Sequence, residues 1–252
     1  VTMIKEVAFG IANRHHFMTE DDTIKWKGTT DTYASLYNYD DEVIQYFKDK
    51  KTLAGFSGKI YMPREFFFDV DGDSSERARQ LTIGLCEHLK EFDISYRIYF
   101  SGTGFHIGVS QGIFKWEPSK ELHLRVKDCL VSNGIFDYAD NSVIDKTRII
   151  RLTNTRNNKS GLFKVPITEL ELHEDIETIK TLAVKVRVPD WYLIANEEEN
   201  PIFDITKRIK VAERKPVVTT TRTGDPFYYP CIQKMLEGTS YGSRHNVSLR
   251  IA

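Results

Sequence analysis

The sequence predicts an α+β fold, a sheet packed with helices, and three observations carry that prediction. The run Glu65-Phe-Phe-Phe-Asp-Val-Asp71, closed by Gly72, has the length and residue types of a buried strand that reaches a sheet edge. Behind it, Asp73, Ser74 and Ser75 are helix-capping types, and Leu81, Leu85, Leu89 and Phe92 recur at helical spacing. Two further strand-like segments, 94–100 and 105–110, are joined by Ser101-Gly-Thr-Gly104, which gives the local order β-α-β-β.

The remaining elements follow in chain order. Residues 1–60 mix short apolar runs with polar turns, which reads as a small α+β lobe, and Gly55 and Gly58 punctuate a hairpin or bulge over 52–61. A second helix fits 118–133, ended by Gly134. Segments 142–145, 148–152 and 161–167 read as strands and 168–186 as mainly helical. Residues 1–215 thus form one catalytic-sized domain, and the proline-bounded stretch Pro216-Val-Val-Thr-Thr-Thr-Arg-Thr-Gly-Asp-Pro226 reads as a linker. Residues 227–252 begin something new, a truncated start of a further domain.

Composition bounds the function. At 252 residues, 40% hydrophobic and 28% charged, the chain has globular composition. No apolar run of about 18 residues occurs, and Lys5 and Glu6 interrupt the start where a signal peptide needs apolar residues, so a soluble, cytoplasmic chain without a membrane partner is expected. Cys86, Cys129 and Cys231 form no CxxC pair, which excludes a local disulfide framework or zinc knot and reads as three small hydrophobes. With 35 basic and 36 acidic residues the net charge is −1, so any polyanion site must be local.

Three places can hold chemistry. Asp69 and Asp71 are two apart on a strand, so both project from one face. Paired carboxylates repel and lose hydration, and a divalent cation is the usual compensation; turn-forming aspartates at a strand end are the plain alternative. An EF-hand does not fit, because Gly72 stands at position 4 of the loop and Gln80 at position 12. In Ser101-Gly102-Thr-Gly104-Phe-His106 two glycines and two hydroxyls occupy a strand-to-strand turn, where backbone N–H groups can approach phosphate oxygens, and His106 leaves the turn within reach. A glycine hairpin beside a core histidine is the alternative there. No GxxxxGK[ST] occurs, so a P-loop ATPase is not expected. Finally, residues 146–164 hold Lys146, Arg148, Arg151, Arg156, Lys159 and Lys164 without an acidic residue, directly after Asp145. Such a field suits triphosphate or nucleic-acid backbone, or else marks a solvated basic edge strand. Five cations over 207–215 read as solvated surface.

In order, Phe66-Phe-Phe-Asp-Val-Asp71, Ser101-Gly-Thr-Gly-Phe-His106, and Asp145-Lys-Thr-Arg-Ile-Ile-Arg151 with Lys159-Ser-Gly-Leu162 resemble the motifs of the archaeo-eukaryotic primase superfamily, in its primase-polymerase branch. The resemblance implies a catalytic fold with an RRM-like mixed sheet packed with helices and an N-terminal α/β lobe. It implies Asp69, Asp71 and Asp145 as ligands of two Mg²⁺ or Mn²⁺ ions. Ser101, Gly102, Gly104 and His106 would bind a nucleoside triphosphate, with Arg148, Arg151 and Lys159 on the triphosphate or template. The implied activity is DNA-directed priming and primer extension on single-stranded DNA. The zinc-binding stem of many members has no cysteine-histidine counterpart here. The tail from Pro230 resembles the start of a helical accessory domain that in some members holds an iron-sulfur cluster; with Cys231 alone beyond the linker, no cluster is expected within these 252 residues.

Two rivals stand beside this reading. Phe-Phe-Phe-Asp69-Val-Asp71-Gly also resembles the nucleophile motif of haloacid-dehalogenase-type phosphatases, but Asp73 departs from it and it gives no reason for His106 or the cations of 148–159. The other rival is a nucleic-acid-binding module without catalysis, which needs no complete set of carboxylates.

Overall fold

The computed structural model describes residues 2–114 and 116–189. The order begins β1 (Ile4–Phe9), β2 (His16–Thr19), α1 (Glu20–Ile24), β3 (Thr32–Ser35), β4 (Asn38–Tyr39), α2 (Glu42–Lys50) and β5 (Ile60–Tyr61). It continues with β6 (Glu65–Val70), α3 (Ser75–Glu91), β7 (Tyr96–Phe100), β8 (Phe105–Ser110), α4 (Leu122–Ser132), β9 (Ile149–Arg151), β10 (Val165–Ile167), α5 (Glu169–Leu172) and α6 (Ile176–Leu182). One sheet runs β5-β4-β1-β3-β9 with β2 on β1, and the other runs β10-β7-β8-β6. The N-terminal lobe is therefore completed from a distance, because β9 pairs with β3, placing Arg151 opposite Tyr33.

The second sheet positions the site, and its sequence shows why it forms. In β6, Phe66, Phe68 and Val70 enter the core while Glu65, Phe67 and Asp69 alternate onto the other face. In β8, Phe105, Ile107 and Val109 are core and His106, Gly108 and Ser110 alternate with them. α3 covers the apolar face with Ala78, Leu85, Cys86 and Leu89, its start capped by the Ser74 side chain, which accepts the Arg77 N–H. The polar face carries cross-strand rows, with Asp69 opposite His106 and His106 opposite Tyr99.

Several expectations are corrected. Every strand pairing among the described residues is antiparallel, so the sheet is not mixed. The strand expected over 142–145 is a turn of 3-10 helix, Asn141–Ile144, because the Asp140 side chain accepts the Ser142 N–H and starts a helical turn that overrides β propensity. The segment 168–186, read as mainly helical, holds two short helices, as Thr168 and Asp175 each cap a new start. The hairpin or bulge expected over 52–61 is a turn with Gly55 at φ 78° leading into β5, whose partner is β4. Cys86 and Cys129 are buried free thiols. No described helix is long and apolar enough to cross a membrane. The linker and accessory segment over 216–252, Cys231 and the basic run 207–215 lie outside the described residues.

Candidate active site

Asp69 is the centre of the polar face. It is buried near the end of β6, its Oδ2 accepts from Arg148 Nη2 at 2.6 Å, and its Oδ1 lies 3.4 Å from His106 Nε2. Burial pushes the Asp69 carboxyl up, but hydrogen bonding and charge from His106 and Arg148 outweigh it and hold the pKa at about 2. His106 is lowered to about 4, first by burial and then by the Lys164 ammonium, against the pull of Asp69. The imidazole is therefore neutral at neutral pH. Nε2 donating toward Asp69 is the tautomer that gives both groups a partner, and it leaves Nδ1 buried and unpartnered.

Asp71, one residue past β6, is exposed. Its pKa is raised to about 6 by burial of its surroundings and by the Asp69 and Asp140 carboxylates, with Arg148 and Lys159 opposing. Gly104 makes this geometry possible: a Cβ there would lie 2.4 Å from Asp71 Oδ1 and 2.7 Å from the Val70 carbonyl oxygen. The turn is closed on itself, Ser101 N–H donating to the Gly104 carbonyl at 2.9 Å and Gly104 N–H donating to Ser101 Oγ at 3.2 Å. Gly102 takes φ 99°, which favours glycine, and packs on the 157–161 loop, whose Asn157 Nδ2 donates to the Ser101 carbonyl at 3.3 Å. Asn157 Oδ1 in turn accepts the Lys159 N–H at 2.9 Å, so the loop that carries Lys159 is docked on the turn that carries Ser101.

The third carboxylate of this group is Asp140, which sequence reasoning passed over. Its N–H donates to the Asp69 carbonyl at 2.7 Å and its Oδ2 lies 3.5 Å from Arg148 Nη2. Asp145, expected in that role, closes the other end of the 3-10 turn, about 10 Å along at roughly 2 Å rise per residue. Its Oδ1 accepts from the Thr147 N–H and hydroxyl at 2.9 and 3.0 Å, and its charge acts on Arg14, Tyr37, Tyr39 and His123. The signal for Asp140 was present, since Asp-Asn-Ser is a capping sequence and capping residues sit at element ends, but Asp145 stood nearer to the basic run.

Two expected cations are used elsewhere. Arg151, expected on the triphosphate or template, pairs with Asp31 through Nη1, which also donates to the Arg156 carbonyl at 2.9 Å, donates through Nη2 to Tyr33 Oη, and lies over the Tyr33 ring. Lys164, read as part of a basic field, is fully buried, its Nζ donating to the Arg151 carbonyl at 2.8 Å and lying 4.0 Å from the Phe67 ring centre. Burial pushes its ammonium pKa down and the Glu65 carboxyl pKa up. Tyr99 Oη donates to Glu65 at 2.8 Å, and Gly108 gives that carboxylate its room.

The structure thus brings together Asp69, Asp71, Asp140, His106, Arg148, Lys159 and the 101–104 turn. Among the described residues no three carboxylate, imidazole or thiolate groups stand in a ligating arrangement, and Arg148 lies between two of the three carboxylates.

No family model matches this chain, and neither does any curated protein. Among solved structures, the chain is similar to the polymerase domain of Mycobacterium tuberculosis Ligase D in complex with DNA, at 9% sequence identity and a TM-score of 0.39, over 69% of this chain and 75% of that one.

Proposed function

We propose that this chain is a nucleotidyltransferase of the primase-polymerase type, which extends and starts primers on a single-stranded DNA template from nucleoside triphosphates. The observation that carries the reading is the gathering of Asp69, Asp71 and Asp140 beside two cations, Arg148 and Lys159, and a glycine turn. A phosphomonoesterase has no evident use for that second cationic half.

The donor types suit Mg²⁺ or Mn²⁺, since one or two hard carboxylates with the substrate's phosphates are enough for such an ion, although with Arg148 between Asp69 and Asp140 the three carboxylates do not stand in a ligating arrangement. Asp69, Asp71 and Asp140 would hold the ions, Asp140 taking the place first expected of Asp145. When bound, a pair of divalent ions stabilises charge on the attacking and leaving oxygens of phosphoryl transfer. The chain's own residues do the rest. Asp69, at a pKa of about 2, is ionised throughout the working range. Neutral His106 fixes the orientation of the Asp69 carboxylate from the neighbouring strand. Lys159 and Arg148 offset the triphosphate charge, and the N–H groups of Gly102 and Thr103, which the turn does not use to close on itself, meet its oxygens.

The test is incubation of the purified chain with primed and unprimed single-stranded DNA, labelled nucleotides and Mg²⁺ or Mn²⁺, with Asp69→Ala as control. Extension lost in the variant supports the proposal. Absence of nucleotide incorporation, with phosphate released from simple phosphomonoesters, overturns it.

A further inference from the structure

Two arginines three residues apart are held in opposite ways. Arg151 is held through both terminal nitrogens: its guanidinium serves Asp31, the Arg156 carbonyl and the Tyr33 hydroxyl, and stacks on the Tyr33 ring. Arg148 is held by one nitrogen. Nη2 makes the 2.6 Å bond to Asp69 and the 3.5 Å contact to Asp140, while Nε is buried without a partner. Its backbone is anchored, the N–H donating to the Asp145 carbonyl at 2.9 Å and the carbonyl accepting from Leu36 at 2.7 Å. Only the side chain is free to move, and it sits where two of the three carboxylates meet.

We propose that Arg148 is an exchangeable internal counterion, which neutralises Asp69 and Asp140 in the empty site and is displaced by a divalent cation onto the incoming triphosphate. This rests on the reading of Asp69, Asp71 and Asp140 as a cation site. Three carboxylates without compensation repel one another, and a tethered guanidinium relieves that without closing the site permanently. A divalent ion at the same oxygens replaces the guanidinium's attraction with repulsion, and the nearest new anion is the triphosphate that Lys159 also faces. The exchange makes cation and nucleotide binding cooperative, because the ion frees the residue that grips the nucleotide.

The experiment measures Mn²⁺ binding to the full chain without nucleotide, by the loss of the free-Mn²⁺ electron paramagnetic resonance signal, in wild type, Arg148→Gln, Arg148→Lys and Asp69→Asn. Removing a competing charge-assisted hydrogen bond tightens Mn²⁺ binding by about tenfold in Arg148→Gln, with Arg148→Lys nearer wild type. The same Arg148→Gln protein binds a nonhydrolysable nucleoside triphosphate more weakly in the presence of Mn²⁺. A second measurement needs no loss of Arg148: its side-chain Nε–H nuclear magnetic resonance signal in wild type, assigned by its absence from Arg148→Lys, shifts and exchanges faster with water on adding Mg²⁺. Mn²⁺ binding that depends on Asp69 but is no tighter in Arg148→Gln, or an Nε–H signal unmoved by Mg²⁺, overturns the exchange while leaving the cation site standing. No Mn²⁺ binding in any protein overturns both.

Discussion

Gly104→Ala isolates the position of one carboxylate from the identity of its atoms. The added methyl would stand 2.4 Å from Asp71 Oδ1 and 2.7 Å from the Val70 carbonyl oxygen, against an ordinary closest contact near 3.4 Å. The first overlap is 1.0 Å and the second 0.7 Å, by subtraction from that contact distance. The exposed Asp71 side chain can swing away, but the Val70 carbonyl belongs to β6, whose ladder to β8 pairs Val70 with Phe105, so it yields only with the strand. Overpacking of this kind costs about 1–3 kcal/mol, a fall in melting temperature of roughly 2–12 °C for a chain of this size. A catalytic carboxylate moved by about 1 Å loses on the order of a hundredfold in rate. Gly10→Ala is the control: it sits at φ 78° with nothing within 4 Å of the added methyl, so it costs about 1–2 kcal/mol through backbone strain and leaves incorporation unchanged. Primer extension and thermal unfolding are measured on both. Folded Gly104→Ala that incorporates nucleotide at the wild-type rate would refute the placement of Asp71 over that glycine.

Asp140→Asn is expected to lose incorporation by on the order of a thousandfold, the cost of several kcal/mol of charge stabilisation, while Asp145→Asn keeps most of it; primer-extension rates reversed between the two would return the third carboxylate to Asp145. Arg151→Ala is expected to cost about 3–5 kcal/mol in urea unfolding, as for a broken buried pair, with the nucleotide KM of the folded protein changed by no more than about threefold. Asp71 gives a pH signature in the metal-free protein, because its pKa of about 6 lies above the ordinary 3.8 and the folded state holds that proton more tightly between those values. Stability is therefore lost as pH rises from about 4 to 6, so Asp71→Asn is more stable than wild type at pH 8 and loses that advantage at pH 4; an advantage independent of pH would contradict the assignment.

What the sequence made legible was whatever depended on local period. The β6 strand, the capped α3 helix, the glycine turn and the β8 strand emerged where alternation, capping and glycine pairs placed them. From there the register alone brings His106 opposite Asp69. Illegible were choices made by tertiary context. Arg148, Arg151 and Lys164 are equivalent as charges in a chain without acidic residues around them, and only the sheet pairing decides that one meets Asp69, one meets Asp31 and one is buried against Phe67. Asp140 and Asp145 were separated for the same reason: a 3-10 turn between them, rather than a strand, bonds the Asp140 backbone to Asp69 with its carboxylate near Arg148, and turns the Asp145 carboxylate back to Thr147.

The division of labour among these cations explains why a site so rich in charge folds with His106 neutral. Lys164 lies on the polar face itself, tied to the Arg151 carbonyl and over the Phe67 ring, and burial together with its positive charge holds the His106 pKa at about 4. A protonated His106 would be one more fixed cation against Asp69 and would weaken the pull of that carboxylate on any exchangeable one. With the imidazole neutral, Asp69 is balanced by Arg148 alone among the charged groups in hydrogen-bond contact with it. The buried lysine, which touches no nucleotide in this reading, thereby leaves the carboxylate's balance to the arginine that can leave.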